Sequence, residues 1–233
     1  MNIEDIIVRL HALANPEKIK LKEKKFGIYA DNSLGIYHQD LKALAKEIGR
    51  DNELALALFD SGIYEAKILC SKIYDPVSIT EKQMDSWVKE FENWEICDSF
   101  CMGFFVKSDY ALKKALEWSA SPDEYIKRAG FVIMAAYGFA HKKADNAVFE
   151  SFFPIIEREA HDERIYVKKA VNWALRNIGK RNKDLHKQSL EVASRLLLID
   201  SKSAKWIAKN AICELEKPKV NVLDYPREIY RPK

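Results

Sequence analysis

The chain is short of backbone breakers: it has eight glycines and seven prolines in 233 residues. That is too few for the many tight turns of an all-β sandwich or barrel. No segment alternates apolar and polar residues with period two, so amphipathic strands are not expected either. Cysteine is sparse. Cys70, Cys97, Cys101 and Cys213 match no zinc spacing, and a chain of this length folds without a disulfide framework. Cys97 and Cys101, at i and i+4 in an apolar stretch, read as two reduced core thiols, with a metal or redox pair as the alternative. No apolar run reaches the ~18 residues that span a bilayer. Glu4 and Asp5 interrupt the apolar residues of the N-terminus, which excludes a secretory h-region. A soluble, cytoplasmic protein is expected. The histidines, His11, His38, His141, His161 and His186, include no pair at i and i+4. Phosphate-loop, dinucleotide and nucleophile-elbow motifs are missing.

The most telling shortage is local. The whole chain is nearly balanced, with 38 Lys+Arg against 35 Asp+Glu. From Arg164 to Lys183, RIYVKKAVNWALRNIGKRNK, there is no acid at all. That stretch carries Arg164, Lys168, Lys169, Arg176, Lys180, Arg181 and Lys183. On a helix, Ile165, Lys169, Trp173, Arg176 and Lys180 share a face, a cationic stripe with a tryptophan in the middle. Cations bind phosphates, and an aromatic among them packs on a sugar or base. The stripe therefore points to nucleic acid. Net charge is only +3, so any such affinity must come from a patch.

What is abundant is helix signal. Thr80-Glu81-Lys82-Gln83 and Ser121-Pro122-Asp123-Glu124 read as capping boxes, the second with proline at the first helical position. Asp51-Asn52, Ser108-Asp109, Asp162 and Ser201 or Ser203 are further candidate caps. Gly49, Gly62, Gly103 and Gly179 lie near expected helix ends. About a dozen helices with short connections are expected. The segments GIYEAKILCSKIYD, DEYIKRAGFVIMAAYG, RIYVKKAVNWALRNIGK and KSAKWIAKNAICEL each place a Lys or Arg beside an alanine and then run apolar. Arg128-Ala129 and Lys169-Ala170 are 41 residues apart, close to the ~40–47 of HEAT and armadillo repeats. The reading is an all-α, HEAT/armadillo-like helical-repeat solenoid with a concave basic face. It is a single domain over 1–216, followed by an extended tail over 217–233. A non-repetitive helical bundle is the alternative.

Four places stand out for chemistry or contact. In NWEICDSFCM, Trp94 and Asp98 are at i and i+4, and Asp98 lies among Ile96, Cys97, Phe100 and Met102. A carboxylate in that company either pins a neighbouring helix or works in a site. Arg128 heads an apolar helix, where its planar fork could hold a phosphate or bond a neighbouring helix. Trp173 sits inside the stripe, either at a helix seam or facing a ligand. The loop Asp31–Gln39, with Gly35, Tyr37 and His38, could approach a nucleic-acid backbone or simply join two helices.

NWEICD, IKRAGFVIM and VKKAVNWALRNIGKRN, on a chain of this length, resemble the bacterial DNA alkylation repair family of HEAT-like-repeat DNA glycosylases, the AlkD type. The resemblance runs from about Phe26 to Leu215. It implies that Trp94, Asp98, Arg128 and Trp173 line a catalytic cleft and that Arg176 is a further cleft residue. It implies excision of cationic N3- or N7-alkylated purines from duplex DNA without base flipping, leaving an abasic site. Neither a metal nor a cofactor takes part, and a monomer suits the architecture. Lys168, Lys169, Arg176, Lys180, Arg181, Tyr37 and His38 would then bind DNA. The sequence departs from the family in two places. The family's Gly-Ile-Gln-Thr-Pro loop is Gly35-Ile36-Tyr37-His38-Gln39 in this chain, and a tyrosine before that loop is matched by Phe26.

Overall fold

The computed structural model describes residues 1–217 and Val220. The rest of the tail expected over 217–233 lies outside the described residues. Among the described residues there are helices and their connections, and no strand. No helix among them is long and apolar enough to cross a membrane. The chain packs as two compact units, Met1–Asp109 and the residues from Tyr110 onward. That boundary falls inside the span that the sequence reads as one domain. The first unit holds α1 (Ile3–Ala12), α2 (Pro16–Leu21), α3 (His38–Ile48), α4 (Asn52–Asp60), α5 (Tyr64–Ile73), α6 (Glu81–Trp87) and α7 (Trp94–Gly103). The second holds α8 (Ala111–Trp118), α9 (Glu124–Ala140), α10 (Asn146–Glu150), α11 (Phe153–Glu159), α12 (Ile165–Gly179), α13 (Lys183–Leu198) and α14 (Lys202–Leu215).

In the first unit α5 is the central helix, packed on α3, α4 and α7. Its neighbours contribute an aromatic core: Trp87 stacks on Phe59 with centroids 4.8 Å apart and meets Tyr74 edge-on at 5.3 Å, and Phe91 approaches Phe100 at 5.1 Å. Such pairs add about 0.5–1.5 kcal/mol each beyond the area they bury. Cys97 and Cys101 are fully buried in the same unit and form no disulfide.

The second unit makes the repeat visible. Hairpins α8–α9, α11–α12 and α13–α14 stack so that α12 packs on α9 and on α14, and α11 on α13. Polar bonds stitch one repeat to the next. Asn177 donates to Ala135 O (2.9 Å), Asn172 to Asn210 Oδ1 (2.8 Å) and Arg195 to Glu157 (2.6 Å), across separations of 42, 38 and 38 residues. That step is the one read from the sequence, and the stacking is that of HEAT-like repeats. Small residues allow it. A Cβ on Gly130 would lie 2.6 Å from Ser119 N and 2.9 Å from Ala115 O, so α9 can lie against the end of α8 only with glycine there.

Local signals set most helix starts. Thr80 accepts from Gln83 N (3.2 Å), Asp51 from Leu54 N (2.9 Å) and Ser201 from Ala204 N (3.2 Å). Three starts differ from expectation. α9 begins at Glu124 with Asp123 as its cap, and Pro122 stays outside, its carbonyl taken by Arg164 Nη1 at 2.6 Å. Ser108 bonds back to Phe105 O, leaving Tyr110 at the cap of α8. Asp162 clasps the backbone and side chain of Arg164, which itself occupies the cap of α12.

Candidate nucleic-acid interface

The first unit builds its site around the start of α7. Asn93 Oδ1 accepts from Glu95 N (2.9 Å) and Ile96 N (3.2 Å), and Asn93 Nδ2 donates to Tyr29 O (3.1 Å). Residues Lys22–Phe26 wind as a π-helix, a form common at functional sites, and end at Gly27 with φ +61°. Its last carbonyl, Phe26 O, accepts from Trp94 Nε1 at 3.1 Å. Trp94 is therefore held by its ring, on the helix turn that Asn93 caps. Ile96, Cys97, Phe100 and Cys101 are buried, whereas Trp94 and Asp98 are both half-buried and Met102, one turn further on, is exposed. The shared face expected for Trp94 and Asp98 is thus the open side of α7.

Two buried glutamates that sequence reasoning missed organise this region. Glu95 accepts from Lys22 Nζ (2.8 Å) and Tyr64 Oη (3.1 Å) and pairs with His38 Nε2 (3.1 Å). Burial pushes its carboxyl up, but the bonds from His38 and Lys22 outweigh burial and hold it down at about 2. Burial, reinforced by the Glu95 charge, pushes the Tyr64 phenol far up. An ionised Glu95 only accepts, so His38 Nε2 carries the proton of that bond. Glu65, fully buried, accepts from Ser33 Oγ (2.9 Å), Leu34 N (2.7 Å), Gly35 N (2.9 Å) and Ile36 N (3.3 Å). Gly35 has φ +71°, and a Cβ there would lie 2.2 Å from Asn15 O. The loop is pinned from both sides, and it presents Tyr37, 43% exposed, and the half-buried His38 at the start of α3. Lys18 Nζ lies 4.1 Å above the Tyr37 ring. Phe26, Tyr37, Trp94, His38, Lys18 and Lys22 line a cavity of 250 Å³ over Glu95.

In the second unit the stripe faces outward as its periodicity requires. Ile165 and Lys169 are exposed, Trp173, Arg176 and Lys180 are half-buried, and Val167, Ala170, Val171, Ala174 and Leu175 are buried. The stripe is acid-free in sequence but not in space. Glu214 of α14 pairs with Arg176 and with Lys180 (2.7 Å). Burial raises the Glu214 carboxyl, but the Lys180 bond and the two charges together bring it below its ordinary value. Lys168 Nζ lies 5.5 Å over the Trp206 ring. Arg181 departs from the expected DNA-binding role. It is 7% exposed, donates to Gly138 O (3.2 Å), Lys142 O (3.0 Å) and Ala144 O (2.8 Å), and stacks 4.3 Å over Phe149. Those bonds make it a clamp between repeats. Arg128 is also buried, at 5% exposure, and donates to Tyr166 O at 2.7 Å, tying α9 to the first turn of α12. Among the described residues, no group of His, Cys, Asp and Glu is placed to hold a metal ion.

No curated protein matches the chain. A solved structure from a family related to the HEAT-like repeat DNA glycosylases, with affinity for branched DNA structures, is similar at TM-score 0.74 and 21% identity, over 92% of this chain and 95% of that one. The protein smu.31 from Streptococcus mutans UA159 is similar at TM-score 0.54 and 20% identity, over 84% of this chain and 96% of that one. At these identities the likeness is one of fold. Residues 6–215 match the family described as DNA alkylation repair enzyme, and by that match over most of its length the chain belongs to the DNA alkylation repair family.

Proposed function

We propose that the chain is a DNA glycosylase that hydrolyses the N-glycosidic bond of cationic N3- or N7-alkylated purines in duplex DNA, leaving an abasic site without flipping the base. The observation that carries this reading is the open face of α7, where Trp94 is fixed by the Phe26 carbonyl and Asp98 follows one turn later. A cationic purine is already a good leaving group, so the reaction needs no general acid. The sugar passes through an oxocarbenium-like state, as in glycoside hydrolysis. A fixed carboxylate at Asp98 stabilises that cation and orients the attacking water. The electron-rich face of Trp94 favours the developing positive charge, and Trp173 offers a face of the same kind to DNA in the second unit. Lys168, Lys169, Arg176 and Lys180 hold the phosphate backbone, with the charge of Arg176 and Lys180 partly offset by Glu214. Arg128 is a positioning residue that sets the start of α12 through Tyr166. The chemistry uses neither metal nor cofactor, and one chain suffices. Duplex DNA carrying a single N7-methylguanine tests this. Free base released above the spontaneous rate supports the reading, and release at the spontaneous rate by folded protein sinks it.

A second reading is a non-catalytic binder of damaged or branched DNA. It is favoured by the affinity for branched DNA in the family of the structure at TM-score 0.74 and by the Tyr37–Gln39 loop. Binding to a four-way junction with steep salt dependence and no base release selects it.

A further inference from the structure

We propose that the cavity walled by Phe26, Tyr37 and Trp94 takes one unpaired nucleobase of DNA, with Lys18 on the adjoining phosphate. This rests on the reading that the chain acts on DNA, and it adds a subsite in the first unit that does not depend on excision. Size favours one ring system: 250 Å³ is below the ~300–1,000 Å³ of sites for drug-sized ligands. The walls favour a flat, apolar-faced guest. Phe26 and Tyr37 are 42% and 43% exposed, each with a lysine over its ring, Lys25 at 5.5 Å and Lys18 at 4.1 Å, and with the half-buried Trp94 they are the aromatic residues of the cavity lining. Bases stack on such platforms whatever their sequence.

The polar groups favour a base over a hydrocarbon. Glu95 engages Nε2 of His38 at 3.1 Å, which leaves Nδ1 as the ring nitrogen available to hydrogen-bond the polar edge of a base. The charge favours DNA over an uncharged guest. Lys18 stands over Tyr37, and Lys20, Lys24 and Lys25 are exposed on the same segment. The cavity is also preorganised: Trp94 is locked by Phe26 O and the Tyr37 loop by Glu65, so little ordering is needed on binding.

The test compares two duplexes of one sequence, one fully paired and one with a single unpaired 2-aminopurine, bound to the full chain. The proposal predicts that the bulged duplex binds at least about 5-fold tighter, within the roughly 5- to 150-fold that stacking one base confers. It also predicts that 2-aminopurine emission falls on binding. Tyr37→Ala should bring the preference close to one, while Tyr37→Phe, which keeps the ring, should retain it. Equal affinity for the two duplexes overturns the cavity while leaving the DNA reading standing. A preference that survives both Tyr37→Ala and Phe26→Ala also overturns it, because the bulge is then held elsewhere. Binding to neither duplex overturns this proposal and the DNA reading together.

Discussion

Replacing Glu95 by glutamine should remove a block of acid-sensitive stability from the first unit. Glu95 is 7% exposed, and its carboxylate is shared by Lys22, Tyr64 and His38. Its folded-state carboxyl sits at about 2 against an ordinary 4.5. Each pH unit of that interval is worth about 1.4 kcal/mol, so the ionised form stabilises the folded chain by about 3 kcal/mol at neutral pH. The folded value is the depressed one, so the unfolded chain takes up the proton first. The contribution is complete above the unfolded value and drains away as pH falls from about 5 toward 2, with about 2 kcal/mol gone by pH 3. Other acids titrate in the same range, so the quantity to measure is a difference. Urea unfolding of the wild type and of Glu95→Gln at pH 7 and pH 3 gives it, and the wild type should lose about 2 kcal/mol more than the variant. Equal losses would refute the claim that Glu95 is the ionised centre of this network.

Other perturbations separate structure from DNA contact. Gly35→Ala places a methyl against Asn15 O at a φ of +71° and should cost about 2–4 kcal/mol in thermal unfolding. Arg181→Ala removes three carbonyl bonds and a stack on Phe149; it should cost about 3 kcal/mol of stability, with the folded variant's duplex affinity kept. Lys169→Ala should do the reverse, leaving the melting temperature in place and reducing the slope of log affinity against log salt by about 1. Glu214→Gln releases Arg176 and Lys180, so duplex affinity should rise and the salt slope should steepen, as read by filter binding across salt concentrations.

The sequence made legible whatever depends on near neighbours. The caps at Asp51, Thr80 and Ser201 are bonds between residues three apart, and the outward stripe of α12 follows from helical period alone. The repeat step was visible because each hairpin needs the same small and apolar positions to stack. What escaped was set by contacts across repeats. Glu214 meets Arg176 from 38 residues away, so an acid-free segment became a partly neutralised face. Arg181 reads as one more cation until Gly138, Lys142 and Ala144 offer it their carbonyls. Pro122 signals a first turn, but Arg164 takes its carbonyl from 42 residues on. Glu65 and Glu95 did leave a trace in the sequence, each an acid set among apolar residues in GIYEAKILC and NWEIC. The same apolar setting surrounds Asp98, which the fold leaves half-open, whereas it buries the carboxylates of Glu65 and Glu95.

The most direct test of the central claim is the single-turnover rate of free-base release from duplex DNA carrying N7-methylguanine, measured for the wild type and for Asp98→Asn. The account predicts release well above the spontaneous rate for the wild type and a loss of roughly 10²-fold or more in the variant, with duplex affinity retained. Equal release by the two proteins, or release by neither above the spontaneous rate, would contradict it.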